Sequence, residues 1–264
     1  MAEDSSFRDI QVTSSEIQIR KIGVKDIQHA LREGYDDFTA TPSFGVFLIL
    51  IYPLFAVLLT LLVLGDNLLY LLFPMIAGST LLGPVVSTCL FEMSRRREQG
   101  LSASWRRAFD FVHSSAFAPI VALSIAMMIL YGAWMYMAQL LYFGLFTIDP
   151  PASISEFMSQ LFTTRRGAGL MLYGTVIGFL CASTALAMSV VAFPLILDRP
   201  VSSATAVVTS IKAVTANPLM MALWGAIVVV LLSAGAILFL VGLAAVLPIL
   251  GHATWHLFRK LVEP

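Results

Sequence analysis

Ionisable side chains are what this chain has least of. Asp, Glu, Lys and Arg together make up 12% of its 264 residues, about half of what a soluble domain carries. From Leu219 to Leu257, 39 residues pass without one of them. As a single helix that stretch would run roughly 58 Å, about twice the ~30 Å hydrocarbon core of a bilayer; it must cross, turn and cross back. Cysteine is nearly missing as well. Cys89 and Cys181 lie in separate apolar runs with no metal-type spacing, and a thiol at membrane depth reads as a small buried hydrophobe. Nucleotide-binding glycine loops, zinc spacings, Ser/His/Asp nucleophile motifs and nucleic-acid modules are all absent. The expectation is a non-enzymatic chain with no catalytic residue, no cofactor and no nucleic-acid partner.

What is present is apolar: 58% hydrophobic residues and a mean hydropathy of +0.87. The first 42 residues are polar and mixed in charge with no early apolar core, so no cleaved signal peptide is expected and the first span itself directs insertion. Residues 1–42 form a cytoplasmic segment and 43–264 a transmembrane domain. Six spans account for the apolar runs: about 43–64, 68–90, 116–143, 167–195, 218–239 and 243–261. Gly65-Asp66-Asn67 suits a tight turn after the first. Between the last two, only Gly235 and Gly242 offer a place to turn. The expected fold is all-α and polytopic.

The basic residues orient it. With six spans and both termini cytoplasmic, 14 of the 16 Lys and Arg fall inside, and only Arg165 and Arg166 fall outside. That distribution is the positive-inside pattern, and a five-span arrangement weakens it by moving Arg259 and Lys260 outward. Four further segments carry helical apolar stripes and are expected to lie at the interface. These are Val24, Ile27, Leu31, Tyr35 and Phe38, with Asp36 and Asp37 elsewhere on the helix; Trp105, Ala108, Phe109 and Val112; Ile154, Phe157, Met158, Leu161 and Phe162, preceded by Pro150-Pro151; and Ala204, Val207, Val208 and Ile211, with Ser202 or Ser203 as cap. Asn217-Pro218 marks the next start. Span, Ser-started helix and span recur about 100 residues apart, an order of elements that suggests an internal duplication of parallel topology.

No Asp, Glu, Lys or Arg lies in the middle of a span; Glu92, Asp198 and Asp66 sit at ends or turns. This weighs against proton- or ion-coupled transport and leaves open a channel or permease for a neutral or lipid-like solute. Ser79, Thr80, Ser87, Thr88, Ser183, Thr184 and Ser189 are its candidate path; bonding to neighbouring backbone is the plainer reading. His252 and His256, at i and i+4 around Trp255, share one helix face. They are the candidate metal or haem ligands, with His29 or His113 as a third, and interfacial anchoring is the plainer reading. Met127, Met128, Met135, Met137, Met220 and Met221 do not share a face and read as packing. Pro53, Pro74, Pro84, Pro119, Pro194 and Pro248 predict kinks, and Gly78, Gly83, Gly174 and Gly178 close helix contacts. Arg95, Arg96, Arg97, Arg106 and Arg107 suit anionic headgroups.

The run Leu247–Lys260 (LPILGHATWHLFRK), Ile22-Gly23-Val24 and the six-span layout resemble a bacterial family of predicted integral membrane proteins carrying a domain of unknown function. Some members are labelled putative cytochrome c oxidase proteins. The resemblance extends over about Ile19 to Val262 and implies a Gram-negative inner membrane. A catalytic oxidase subunit needs more His ligands at membrane depth than the four His of this chain supply. The resemblance thus implies an accessory or assembly component of a membrane complex, respiratory among the candidates, in contact with lipid and with a membrane-protein partner or copies of itself.

Overall fold

A computed structural model of the chain describes residues 17–41, 60, 69–146, 153–237 and 241–263. The expected first span lies almost wholly outside these residues, as do Pro53, Pro150-Pro151 and the turn after Ile237. The described part is all-α: α1 (Val24–Ala40), α2 (Leu72–Ser79), α3 (Gly83–Glu98), α4 (Phe117–Leu145), α5 (Ile154–Thr163), α6 (Arg165–Ser189), α7 (Ala192–Asp198), α8 (Ser203–Ala216), α9 (Pro218–Ile237) and α10 (Val241–Leu261). Among the described residues four helical segments are long and apolar enough to cross a membrane: Leu72–Glu98, Phe117–Leu145, Arg165–Asp198 and Pro218–Ile237.

Prolines set where the long segments break. A proline lacks an N–H and its ring crowds the carbonyl four residues back. Four residues before Pro84 stands Thr80, where α2 gives way to the 3-10 turn Thr80–Leu82. Four before Pro194 stands Val190, in the break between α6 and α7. Pro218 opens α9, where no N–H is needed, whereas Pro248 is carried inside α10.

The caps fall where side chains accept first-turn N–H groups. Ser202 takes that of Thr205 at 3.1 Å and starts α8, Ser153 takes that of Glu156 at 3.1 Å and starts α5, and Thr164 takes that of Gly167 at 2.9 Å and starts α6. Asn217 does not cap α9 as expected. Its side chain is used elsewhere.

Large apolar residues line the flanks of α4, α6 and α9, where Ile125, Ile129, Phe179, Val229 and Val230 are exposed. Water would not tolerate such faces and lipid does. The core is concentrated at one end, around α7, whose residues Ala192–Leu197 are all buried, together with Trp224, Trp255, Phe91 and Phe258.

The interfacial segments differ in detail from their sequence patterns. Residues 107–113 form a 3-10 helix (Arg107–His113) rather than an α-helix. Ala108 is buried there, and Trp105, Phe109 and Val112 are exposed. In α8 the buried face is Ala206, Thr209, Ser210 and Ala213, while Val208 and Ile211 face outward. In α1 it is Ile27, Ala30, Gly34 and Asp37, while Val24 and Tyr35 are exposed. In α8 small residues face the bundle, because close helix approach demands them; in α1 Ala30 and Gly34 do so beside Ile27, while Val24 and Tyr35 are left outside.

α1 is held against α10. A Cβ on Gly34 would stand 2.5 Å from the backbone N of Ala253, so the two backbones touch here and only glycine fits. Ile27 is buried in the same seam, worth about 1.5–3 kcal/mol. α10 also packs on α3 at Gly251, which abuts the side chains of Leu90 and Ser87. At the far end Gly235 meets Gly242, whose Cβ would lie 2.7 Å from the Gly235 Cα. α9 and α10 therefore run as an antiparallel pair closed by the two glycines that the sequence offered for a turn.

Candidate functional site

The ends of α1, α3, α7 and α10 meet, and there the chain's charges gather. Before α1, an extended stretch is pinned from both sides. Arg20 N–H donates to the Leu261 carbonyl at 2.8 Å and Glu263 N–H to that of Gln18 at 3.2 Å, around an antiparallel bridge of Ile19 and Val262. On the other side Asn217 Oδ1 accepts the Ile22 N–H at 2.9 Å, and its Nδ2 donates to the carbonyls of Arg20 (3.0 Å) and Ala213 (3.1 Å). A primary amide offers one acceptor and two donors. Asn217 uses all of them and ties the stretch before α1, itself paired with the end of α10, to the start of α9.

Asp37 lies at the centre of the α1–α3–α10 junction. One carboxylate oxygen, Oδ2, accepts from the Ser94 hydroxyl at 2.5 Å and from His256 Nε2 at 2.9 Å; the other, Oδ1, accepts from Arg97 Nη1 at 2.7 Å. A carboxylate only accepts, so His256 carries its proton on Nε2 here. Ser94, having given its hydrogen to Asp37, accepts from His252 Nδ1 at 2.7 Å. Burial pushes the Asp37 carboxyl up, but the hydrogen bonds from His256 and Ser94 and the nearby imidazoles outweigh it and hold the group below its ordinary value.

This placement decides what the paired imidazoles face. His252 is 1% exposed, deeper than interfacial anchoring requires. The ring nitrogens that point into the cluster are N–H donors with no lone pair for a metal. No group of three His, Cys, Asp or Glu able to hold a metal ion exists among the described residues. Nor is Ser94 arranged as a nucleophile: its proton goes to Asp37 and its oxygen receives one from His252, the reverse of an activated serine.

A ring of charge surrounds the junction. Glu98 accepts from Trp255 Nε1 at 3.1 Å and from Arg259 Nε at 3.0 Å, and Arg259 lies 5.0 Å above the Trp255 ring. Arg259 also reaches Asp198 at 2.9 Å, Arg20 reaches Glu263 at 3.1 Å, and Lys260 is 3.9 Å from Glu33. Arg199 donates to the Glu263 carbonyl. The exposed pairs contribute little individually. Their value lies in joining four separate stretches of chain at one end. Beside them Glu92, 1% exposed, is held bidentately by Arg95 at 2.9 and 3.0 Å, next to a cavity of ≈ 340 Å³.

Sequence reasoning singled out the two imidazoles as a candidate site but gave no part in it to Asp37, Ser94, Glu98 or Asn217. One signal was available: Ala30 and Gly34 inside a helical pattern mark a close backbone approach, and Asp37 follows on that face. The proposed polar path fares differently. Ser79, Thr80, Thr88, Thr184 and Ser189 donate to carbonyls three or four residues back in their own helices. Met127 and Met221 are buried and Met128 is exposed, so the methionines share no face.

Among the described residues, four apolar helical segments long enough to cross a membrane, with lipid-suited flanks and no Asp, Glu, Lys or Arg in their middles, define an integral membrane protein. Residues 72–198 match the predicted integral membrane protein family DUF2189, the family that the sequence resembles. The match covers α2 to α7 and stops short of the Leu247–Lys260 run on which the resemblance was most specific. No curated protein and no solved structure matches the chain.

Proposed function

We propose that the chain is a six-span, non-enzymatic protein of a bacterial inner membrane, with both termini cytoplasmic, that serves as an accessory or assembly component of a larger membrane complex, a respiratory oxidase being one candidate. One observation carries this reading: the buried polar groups at the junction are spent on one another. Asp37, Ser94, His252 and His256 close α1 onto α3 and α10 and leave no activated group, while the flanks of α4, α6 and α9 remain apolar and available to lipid and to neighbouring helices.

Two arrangements support the six-span count. α1 sits at the end where α3 finishes, whereas α2 begins at the other end; and α9 and α10 run antiparallel, returning the C-terminus to the N-terminal side. Arg95–Arg97, Arg199, Arg259 and Arg20 all lie at that end, as a common cytoplasmic face requires.

Purification in a mild detergent followed by mass spectrometry tests the functional reading. A stoichiometric membrane-protein partner is expected. A lone homo-oligomer, recovered under conditions that preserve other membrane complexes, overturns it.

A further inference from the structure

The chain that joins α3 to α4 does not project away from the bundle. It reverses at Gly100, whose φ of 69° favours glycine, and the Leu101 N–H returns to the Arg96 carbonyl at 2.8 Å. Arg96 then grips the returning strand twice. Its Nε donates to the Ser102 carbonyl at 3.1 Å and its Nη1 to Asp110 at 3.2 Å. Ala108, fully buried, packs with Leu90 and Met93 of α3, which stand roughly 8–12 Å back along the helix from its end at Glu98. Residues 101–117 thus form a strap folded back along a membrane-crossing segment.

What the strap turns outward is apolar. Leu101, Trp105, Phe109, Val112 and Phe117 are all exposed, and the rings of Trp105 and Phe109 meet edge to face at 6.2 Å. Single exposed hydrophobes are ordinary, but a contiguous group of this size marks an interaction surface. Lipid is the occupant that the position favours. The strap links the ends of two segments able to cross a membrane, Leu72–Glu98 and Phe117–Leu145, and its edge runs on through Phe117 into Val121 and Ile125 on the exposed flank of α4. Arg106 and Arg107 are exposed beside the aromatic rings, a composition that suits the boundary between headgroups and acyl chains. The arrangement departs from the sequence stripe: Ala108 is the inward anchor, and Leu101 and Phe117, outside the stripe, join the edge.

We propose that residues 101–117 are an interfacial strap that inserts Trp105 and Phe109 into the headgroup–acyl boundary of the bilayer, with Arg96 tying the end of α3 to that lipid surface. This reading needs the membrane class of the protein, and neither its six spans nor a protein partner.

Fluorescence quenching of the full chain in phosphatidylcholine nanodiscs tests it. The Trp105 signal is the difference between the wild type and Trp105→Phe, which keeps an apolar ring in place. Two quenchers are compared: lipid brominated on the upper part of its acyl chains, and iodide in the water. The Trp105 signal is expected to be quenched by brominated lipid at least about threefold more than by iodide, as burial of an interfacial ring below the headgroups requires. In the folded variant Phe109→Asp/Val112→Asp, checked by its helical circular dichroism, the preference should reverse as the strap leaves the lipid.

Quenching by iodide equal to or above that by lipid in the wild type overturns the proposal. Shielding of Trp105 from both quenchers overturns the lipid assignment in favour of a covering protein surface. Lipid quenching unchanged in the folded Asp variant overturns the role of the apolar edge.

Discussion

Gly34 gives the sharpest test of the packing, because two physical effects predict opposite signs for Gly34→Ala. In a solvent- or lipid-exposed helix the substitution stabilises by roughly 0.5–1 kcal/mol, since alanine loses less backbone entropy than glycine on folding. At this position the new methyl would lie 2.5 Å from Ala253 N and 2.7 Å from both Ala253 Cα and Cβ. The nearest atom is backbone, so the overlap cannot be relieved by rotating a side chain. Overpacking of this kind costs about 1–3 kcal/mol. Subtracting the propensity gain leaves a net loss of about 0–2.5 kcal/mol, felt where α1 docks. The assay is protease cleavage of the segment before Val24 in detergent, together with thermal unfolding. The variant should be cut faster and melt lower. Ala253→Gly in the same chain should rescue it only in part, because it removes the Cβ contact but leaves N and Cα in place. A Gly34→Ala protein that melts higher than the wild type and resists the protease equally would refute the docking of α1 on α10.

Further outcomes follow from the polar junction. Asp37 has a folded-state carboxyl held below its ordinary value of 3.8, so its contribution is fully present above that value and is lost as pH falls through the lowered one. Acid titration of α1 docking by tryptophan fluorescence should show this loss in the wild type, and Asp37→Asn should be weaker at neutral pH and flatter over the acid range. Asn217→Ala should deprive the Ile22 N–H and the Arg20 carbonyl of their partner, costing about 1–3 kcal/mol for each group left buried. Hydrogen exchange at Ile22 should rise sharply. Asn217→Asp should fare no better, because it turns a carboxylate oxygen toward two carbonyls. Ser202→Ala should cost about 1 kcal/mol through the loss of the α8 cap, measured by denaturant melting. Reporter fusions after Glu263 and before Ile17 should read cytoplasmic. A periplasmic signal from the C-terminal fusion would contradict the six-span orientation.

Composition alone determined that the chain is an integral membrane protein and picked out the four described runs that are long and apolar enough to cross a membrane, and local capping residues gave the starts of several helices. Those properties are local: a run of apolar residues is long enough or not, Ser202 precedes an N–H that needs an acceptor, and Pro84 and Pro194 disturb the carbonyl four residues back. The sequence pattern also brought forward His252 and His256, because i, i+4 spacing is visible in one dimension. Their partners were not visible. Asp37, Ser94 and His252 are separated by 57 and 158 residues along the chain, and Asn217 stands 195 from Ile22. The apolar stripe of α1 gave Ile27 but not the rest of its buried face, and that of α8 missed the buried face altogether, since Ala30 and Gly34 in α1 and Ala206, Thr209, Ser210 and Ala213 in α8 are of low hydrophobicity. Only tertiary packing could decide that an aspartate of α1 would be the group on which α3 and α10 converge. This buried charge is tolerable because two other helices, α3 with Ser94 and Arg97 and α10 with His256, bring donors to it at once.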